Sequence, residues 1–168
     1  MKAFNCLAAA ALIGSSLPAA ALAQDAPFFG TDESQFANDG ECDDARFTGE
    51  GMAEVVMTDS IARDATDCSA AFAAGNLEPN PLFAEPAQPG QYDYGDDASD
   101  YANDGECDDI RFTGNYASET IYLYEDIAHD ASDCRSAVEE GRARWQANAR
   151  DFEYGQIVTD DDAEDAEI

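Results

Sequence analysis

One stretch of this chain is written twice, and that duplication limits what the chain can fold into more than any other feature. The segment Ala37-Asn-Asp-Gly-Glu-Cys-Asp-Asp-Ala-Arg-Phe-Thr-Gly49 returns as Ala102-Asn-Asp-Gly-Glu-Cys-Asp-Asp-Ile-Arg-Phe-Thr-Gly114, and the two differ at one position, Ala45 against Ile110. The likeness runs outward. Phe29-Gly30 answers Tyr94-Gly95 and Phe36 answers Tyr101. After a one-residue insertion in the second copy, Asp64-Ala-Thr-Asp-Cys68 answers Asp130-Ala-Ser-Asp-Cys134. A repeat of this kind predicts one small unit used twice.

The cysteines then set how each unit is held. An apolar, alanine-rich stretch follows Lys2, and Ala21-Leu22-Ala23 fits the small-x-small cleavage rule, so residues 1–23 read as a signal peptide. Gly14-Ser15-Ser16 and Pro18 break that stretch, short of the roughly 20 apolar residues a span requires. Cleavage would remove Cys6 and leave Cys42, Cys68, Cys107 and Cys134 in an exported chain, where an even number points to disulfides. Equivalent modules should be stapled equivalently, which pairs Cys42 with Cys68 and Cys107 with Cys134. Each bridge closes a loop worth roughly 3–4 kcal/mol in the chain-entropy model. Units this small have little core and usually need such a staple.

The expected architecture is α+β: two tandem disulfide-stapled modules, each an acidic loop, a short strand and a helix, joined by a proline-rich linker. The boundaries read as module 1 at 29–75, linker at 76–91, module 2 at 92–150 and a flexible acidic tail at 151–168. Asn-Asp-Gly marks the loops. Alternation predicts strands at 54–57 and 120–124, with Ile121 and Leu123 on one side and Tyr122 and Tyr124 on the other. Asp64 and Asp130 stand where helix N-caps belong, and Gly75 and Gly141 where helices stop. Pro79, Pro81, Pro86 and Pro89 make the intervening segment an extended spacer.

Charge narrows the partners. Without Lys2 the chain keeps seven arginines against 37 acidic residues. Such a surface repels nucleic acid and anionic membranes and draws cations or a basic envelope or extracellular protein. The acidity concentrates in the repeated loops: Asn38, Asp39, Glu41, Asp43 and Asp44, then Asn103, Asp104, Glu106, Asp108 and Asp109. Crowded carboxylates repel, by about 1 kcal/mol per pair at ~4 Å in water, and a hard divalent cation relieves this. Two readings therefore stand side by side. One is a weak calcium site in each copy, completed by Asp64 or Asp67 and by Asp130 or Asp133. The other is a purely structural acidic turn, its charge offset by Arg46 and Arg111. The spacing is not that of an EF-hand, since Ala37 and Ala102 occupy ligand positions of that template.

Catalysis is not expected. His129 is the single histidine and Arg63 takes its place in the other copy. Oxidised cysteines provide no thiolates, and no phosphate-cradling glycine motif occurs. A small carboxylate hydrolase is the least favoured of three readings, behind cation binding and a cation-independent interaction protein. Arg135, Arg142, Arg144 and Arg150 cluster around Trp145; they read as internal pairing with acids before they read as a contact face. The acidic loop is similar to the calcium-holding end of low-density-lipoprotein-receptor class A repeats, but those carry more cysteines and their site is not transferred. The pairing of Ala-Asn-Asp-Gly-Glu-Cys-Asp-Asp with a later Asp-Ala-(Thr/Ser)-Asp-Cys resembles a module of exported bacterial proteins without an assigned activity. That resemblance implies a periplasmic or secreted setting and no particular reaction or ligand.

Overall fold

The computed structural model describes residues 26–114, 120–147 and 152–154. The expected signal peptide, Arg150 and most of the expected tail lie outside them. Among the described residues, no helix is long and apolar enough to cross a membrane. Each module is a small α+β unit. Module 1 runs through β1 (Phe47–Thr48), a 3₁₀ turn (Thr58–Ser60), α1 (Ala65–Ala73) and β2 (Glu78–Pro79). After a further 3₁₀ turn (Pro81–Phe83), module 2 repeats the order as β3 (Phe112–Gly114), a 3₁₀ turn (Tyr124–Asp126), α2 (Ala131–Glu139) and β4 (Ala143–Trp145).

The strands are not where alternation put them. Residues 54–57 are irregular, and 120–124 lead into the turn at Tyr124. The pairing segments are instead the Phe-Thr dipeptides of the repeated motif, which meet the chain as it returns from the helix. Phe47 lies opposite Pro79, and Phe112 opposite Trp145, in two antiparallel two-stranded sheets. The alternation failed because Tyr122 turns inward: it is 3% exposed and its hydroxyl donates to the Phe112 carbonyl at 3.2 Å. Ile121 and Tyr124 are left exposed.

Both disulfides form as the repeat required, Cys42 with Cys68 and Cys107 with Cys134, with Cα–Cα distances of 4.6 and 4.5 Å. They tie the acidic loop to the first turn of each helix. Each helix ends as expected, on Gly75 with φ +78° and Gly141 with φ +71°. The starts differ from expectation. The side chains of Asp64 and Asp130 make no capping bond. The caps come from a distance: Asp32 accepts from the Thr66 N–H at 2.7 Å and its hydroxyl at 2.6 Å, and Asp97 treats Ser132 in the same way.

Each module has its own apolar cluster around its disulfide. Cys42, Phe47, Cys68 and Leu77 form one, and Tyr94, Cys107, Phe112, Ala131, Cys134 and Ala137 form the other. A third core joins the modules. Ala45, Ile61 and Ala62 of the first meet Ile110, Tyr122 and Ile127 of the second. The segment read as a spacer contributes Phe83 to this core, and the stretch read as tail contributes Phe152. Hydrogen bonds cross the same seam: Thr58 Oγ1 donates to the Tyr122 carbonyl at 2.7 Å, and the Tyr154 hydroxyl to that of Ile61 at 2.6 Å. The two modules are thus packed on one another.

The repeat also extends further than its obvious end. The Asn80 N–H donates to the Arg46 carbonyl and its side chain to that of Ala45, while Gln146 does the same to Arg111 and Ile110. These amides bolt the strand pair back onto the acidic loop.

Candidate metal centre

The acidic motif splits into two groups with different work. Asp44 and Asp109 turn inward onto the arginine two residues later. Arg46 Nη2 donates to Asp44 Oδ2 at 2.6 Å, and Arg111 Nη2 to Asp109 Oδ2 at 2.5 Å, with Nε reaching both oxygens in each case. The same carboxylates accept the N–H of Ala62 at 2.8 Å and of Ala128 at 2.9 Å. Those alanines sit at φ +57° and +64°, a left-handed conformation that carries a cost for a residue with a Cβ. Gly30 and Gly95 are required opposite them, because a Cβ on either would lie 1.8 Å from the alanine carbonyl oxygen. With their oxygens committed in this way, Asp44 and Asp109 leave the candidate cation set; they hold the fold.

The rest of the motif faces the helix start. The Asp43 N–H donates to Asp64 Oδ2 at 2.7 Å, and the Gly40 N–H to Asp67 Oδ2 at 3.1 Å. Module 2 repeats both, from Asp108 to Asp130 at 2.7 Å and from Gly105 to Asp133 at 3.0 Å. Asp39 and Asp104 accept from the N–H groups of Glu41 and Glu106 and so shape the turn. Asn38 and Asn103, at φ +69° and +70°, are exposed turn residues. Glu41 and Glu106 are exposed at the loop's end.

What remains is a pair of buried carboxylates in each module with oxygens left over. Asp43 Oδ2 and Asp64 Oδ1 are buried without a hydrogen-bond partner among the described residues, and so are Asp108 Oδ2 and Asp130 Oδ1. Asp64 and Asp130 are fully buried. Buried polar atoms are normally satisfied, so an orphan recurring at equivalent places calls for a reason. Burial, then the charges of Asp39, Asp64, Glu41 and Asp67, push Asp43 up to about 7. Asp64 rises to about 6 despite the N–H it accepts. Asp108 and Asp130 both rise to about 7, again chiefly through burial. An open cavity of about 320 Å³ lies against Asp104, Glu106, Asp108 and Thr120.

The cysteines add nothing as ligands. Cys42, Asp64 and Cys68 lie together, as do Cys107, Asp130 and Cys134, but both sulfurs of each group are spent in the disulfide and offer no thiolate. Cys68 Sγ lies 3.6 Å from Asp64 Oδ2 as an apolar wall. The donor set is therefore all oxygen, which suits a hard cation. Asp64 and Asp130, expected both as helix caps and as residues completing a cation site, make no capping bond and turn toward the acidic loop. Their position four residues before a disulfide cysteine was the available signal, because it turns the carboxylate toward the loop that the cysteine binds.

The late arginine group is mostly paired internally. Arg135 lies 5.2 Å from the Tyr94 ring centroid, Arg142 donates to Glu140 at 2.7 Å and Arg144 pairs with Glu153. Trp145 stacks on Tyr92 and meets Phe112 edge-on. A scan of protein-family models, a search of curated proteins and a search of solved structures each gave no match to this chain.

Proposed function

We propose that this chain is an exported, non-catalytic binding protein of the periplasm or extracellular space whose acidic loops each take a divalent cation, calcium before others. The observation that carries this reading is the pair of orphaned, buried carboxylate oxygens repeated at Asp43 and Asp64 and at Asp108 and Asp130. A hard cation offers both oxygens the positive partner that the fold withholds, and Asp39 with Glu41, or Asp104 with Glu106, are exposed on the same loop and would complete the shell by turning inward. The alternative occupant is a proton, which burial and the neighbouring carboxylates favour on the same groups. Disulfides agree with an oxidising compartment.

Thermal melting with added calcium tests this. At about ten times a dissociation constant in the ~10⁻⁴–10⁻³ M extracellular range, each site adds about 1.4 kcal/mol. Two sites should raise the melting temperature by roughly 5–10 °C for a chain of this size. The double variant D43N/D108N should melt higher than wild type without metal, because it removes two buried charges, and should lose the response to calcium. A wild-type midpoint indifferent to millimolar calcium removes the reading.

A second reading has its own support. An open groove of about 510 Å³ runs along the seam between the modules, lined by Met52, Val55, Met57, Leu123 and Tyr124, with Glu54 and Glu125 at its edge. Apolar surface rimmed by acids suits a basic protein partner engaged without any cation. Capture of that partner undiminished by chelator and by D43N/D108N would favour this second reading.

A further inference from the structure

We infer that the groove at the seam is one end of a longer docking face, which runs over Leu123 to the acidic loop of module 2. Its occupant is an extended segment of a partner protein whose side chains alternate between basic and apolar. The inference rests on the cation-independent reading above and gives that partner its chemistry. Seven large apolar side chains are exposed among the described residues, and five of them gather on this face: Val55, Met57 and Tyr124 along the groove, Tyr101 and Ile121 beyond it. Leu123 lines the groove, the cavity of about 320 Å³ against Asp108 and a third of about 300 Å³ beside Ser99, so the three hollows adjoin at one side chain. Apolar residues scattered singly over a surface carry no message, but a contiguous run of them marks an interaction surface.

A difference between the copies shapes the groove. In module 2 the Tyr122 hydroxyl donates to the Phe112 carbonyl at 3.2 Å. Val56 holds the place of that tyrosine in module 1, and with no hydroxyl to give it leaves the Phe47 carbonyl without the matching bond. Phe47 and Val56 both line the groove, so a smaller side chain and a backbone acceptor short of one donor stand together in its wall. An extended chain presents backbone N–H groups along an edge and sends alternate side chains to one face, which suits both features. Charge then selects the occupant. Glu54, Asp100, Asp104, Glu106 and Glu125 are exposed around the three hollows, and no basic side chain is among their walls. A second copy of this chain would bring the same excess of acids, and residues 159–168 carry acids and no base. Lysine or arginine at alternate positions of a partner answers the rim, while the apolar residues between them fill the hollows.

A short fluorescein-labelled peptide of alternating lysine and leucine, followed by anisotropy as the full chain is added, tests this against a peptide of equal charge with serine for leucine. The leucine peptide should bind about tenfold tighter or more. V55S/M57S and Y101S/I121S change exposed side chains alone, and each should weaken that binding by about tenfold. F28S/L82S, which removes the two exposed apolar side chains outside this face, should leave it unchanged. V56Y copies the tyrosine of module 2 into the groove and should block it; if V56Y fails to fold, the exposed pairs decide. Loss in V55S/M57S with Y101S/I121S unchanged would keep the groove as a partner site and overturn the longer face. Loss in Y101S/I121S alone would remove the groove and the continuous face with it. Equal binding of the two peptides, or of all the variants, would mean that charge alone holds the peptide, and both the groove reading and this inference fall.

Discussion

Both modules hang on an aspartate–arginine pair two residues apart, yet the second buries its pair more completely than the first. Arg46 keeps 9% of its surface and sends Nη2 to the Phe29 carbonyl, within its own module, at 3.2 Å. Arg111 keeps none, sends Nη1 to the Leu82 carbonyl between the modules at 3.0 Å, and lies 5.6 Å from the Trp145 ring centroid. The one difference within the repeated motif falls beside these arginines: Ala45 and Ile110 both face the shared core. Duplication therefore kept the charged framework of each unit and changed the residues that pack one unit on the other. Module 2 is the one that organises the seam.

The largest test of that difference removes each guanidinium in turn. R111M leaves Asp109 buried without its partner, a change that typically costs about 3–5 kcal/mol. R46M should cost clearly less, because Arg46 is itself 9% exposed and water can enter the space it leaves. Urea unfolding measures both. Equal losses would mean that the seam draws no special support from module 2.

The staples, the duplicated units, the helix ends at Gly75 and Gly141 and the acidic turn were all legible before any coordinates, because each depends on a local rule or on the repeat itself. The strands were not. Alternation at 120–124 looked like a ladder, but the inward residue is Tyr122, chosen by a core that a second module supplies. The same holds for Phe83 and Phe152, which read as spacer and tail until a neighbouring surface gives them somewhere to go. In the site, the loop acids were visible as a cluster, but their division into structural Asp44 and Asp109 and idle Asp43 and Asp108 depends on which way adjacent side chains turn. No spacing rule reports that.

Acidity gives the second test. Asp43, Asp64, Asp108 and Asp130 have folded-state pKa values of about 6 to 7, and Asp126 is raised as well, against an ordinary value near 3.8. Between about pH 4 and 7 the folded chain therefore binds more protons than the unfolded one, so stability without metal falls as pH rises and levels off above 7. The midpoint should climb as pH drops from 8 to 5, opposite to the behaviour of a protein stabilised by ion-paired carboxylates with lowered pKa values. Asp32, Asp96, Asp97 and Glu140 have lowered values; their contribution is lost only as pH falls through and below their ordinary range, near or under the lower edge of this window. Asp130 rises to about 7 and Asp64 to about 6, so D108N/D130N should remove more of the climb than D43N/D64N. Added calcium should flatten it in wild type.

The smallest effect concerns a feature the modules share without divergence. Asp32 and Asp97 each reach across from the loop before the motif to cap a helix, accepting an N–H and a hydroxyl from residue 66 or 132 at 2.6–2.7 Å. Both are exposed, so water replaces much of what a substitution removes. D32A and D97A should each lower the melting temperature by well under half of the R111M effect, and by similar amounts. One distinction remains: the Asp97 carboxylate also feels the positive charge of Arg135, and Asp32 has no such neighbour. Part of the loss in D97A should therefore fade as salt is raised while that in D32A holds steady. Identical salt responses would place Arg135 wholly on the Tyr94 ring and leave the two caps equivalent in energy as well as in geometry.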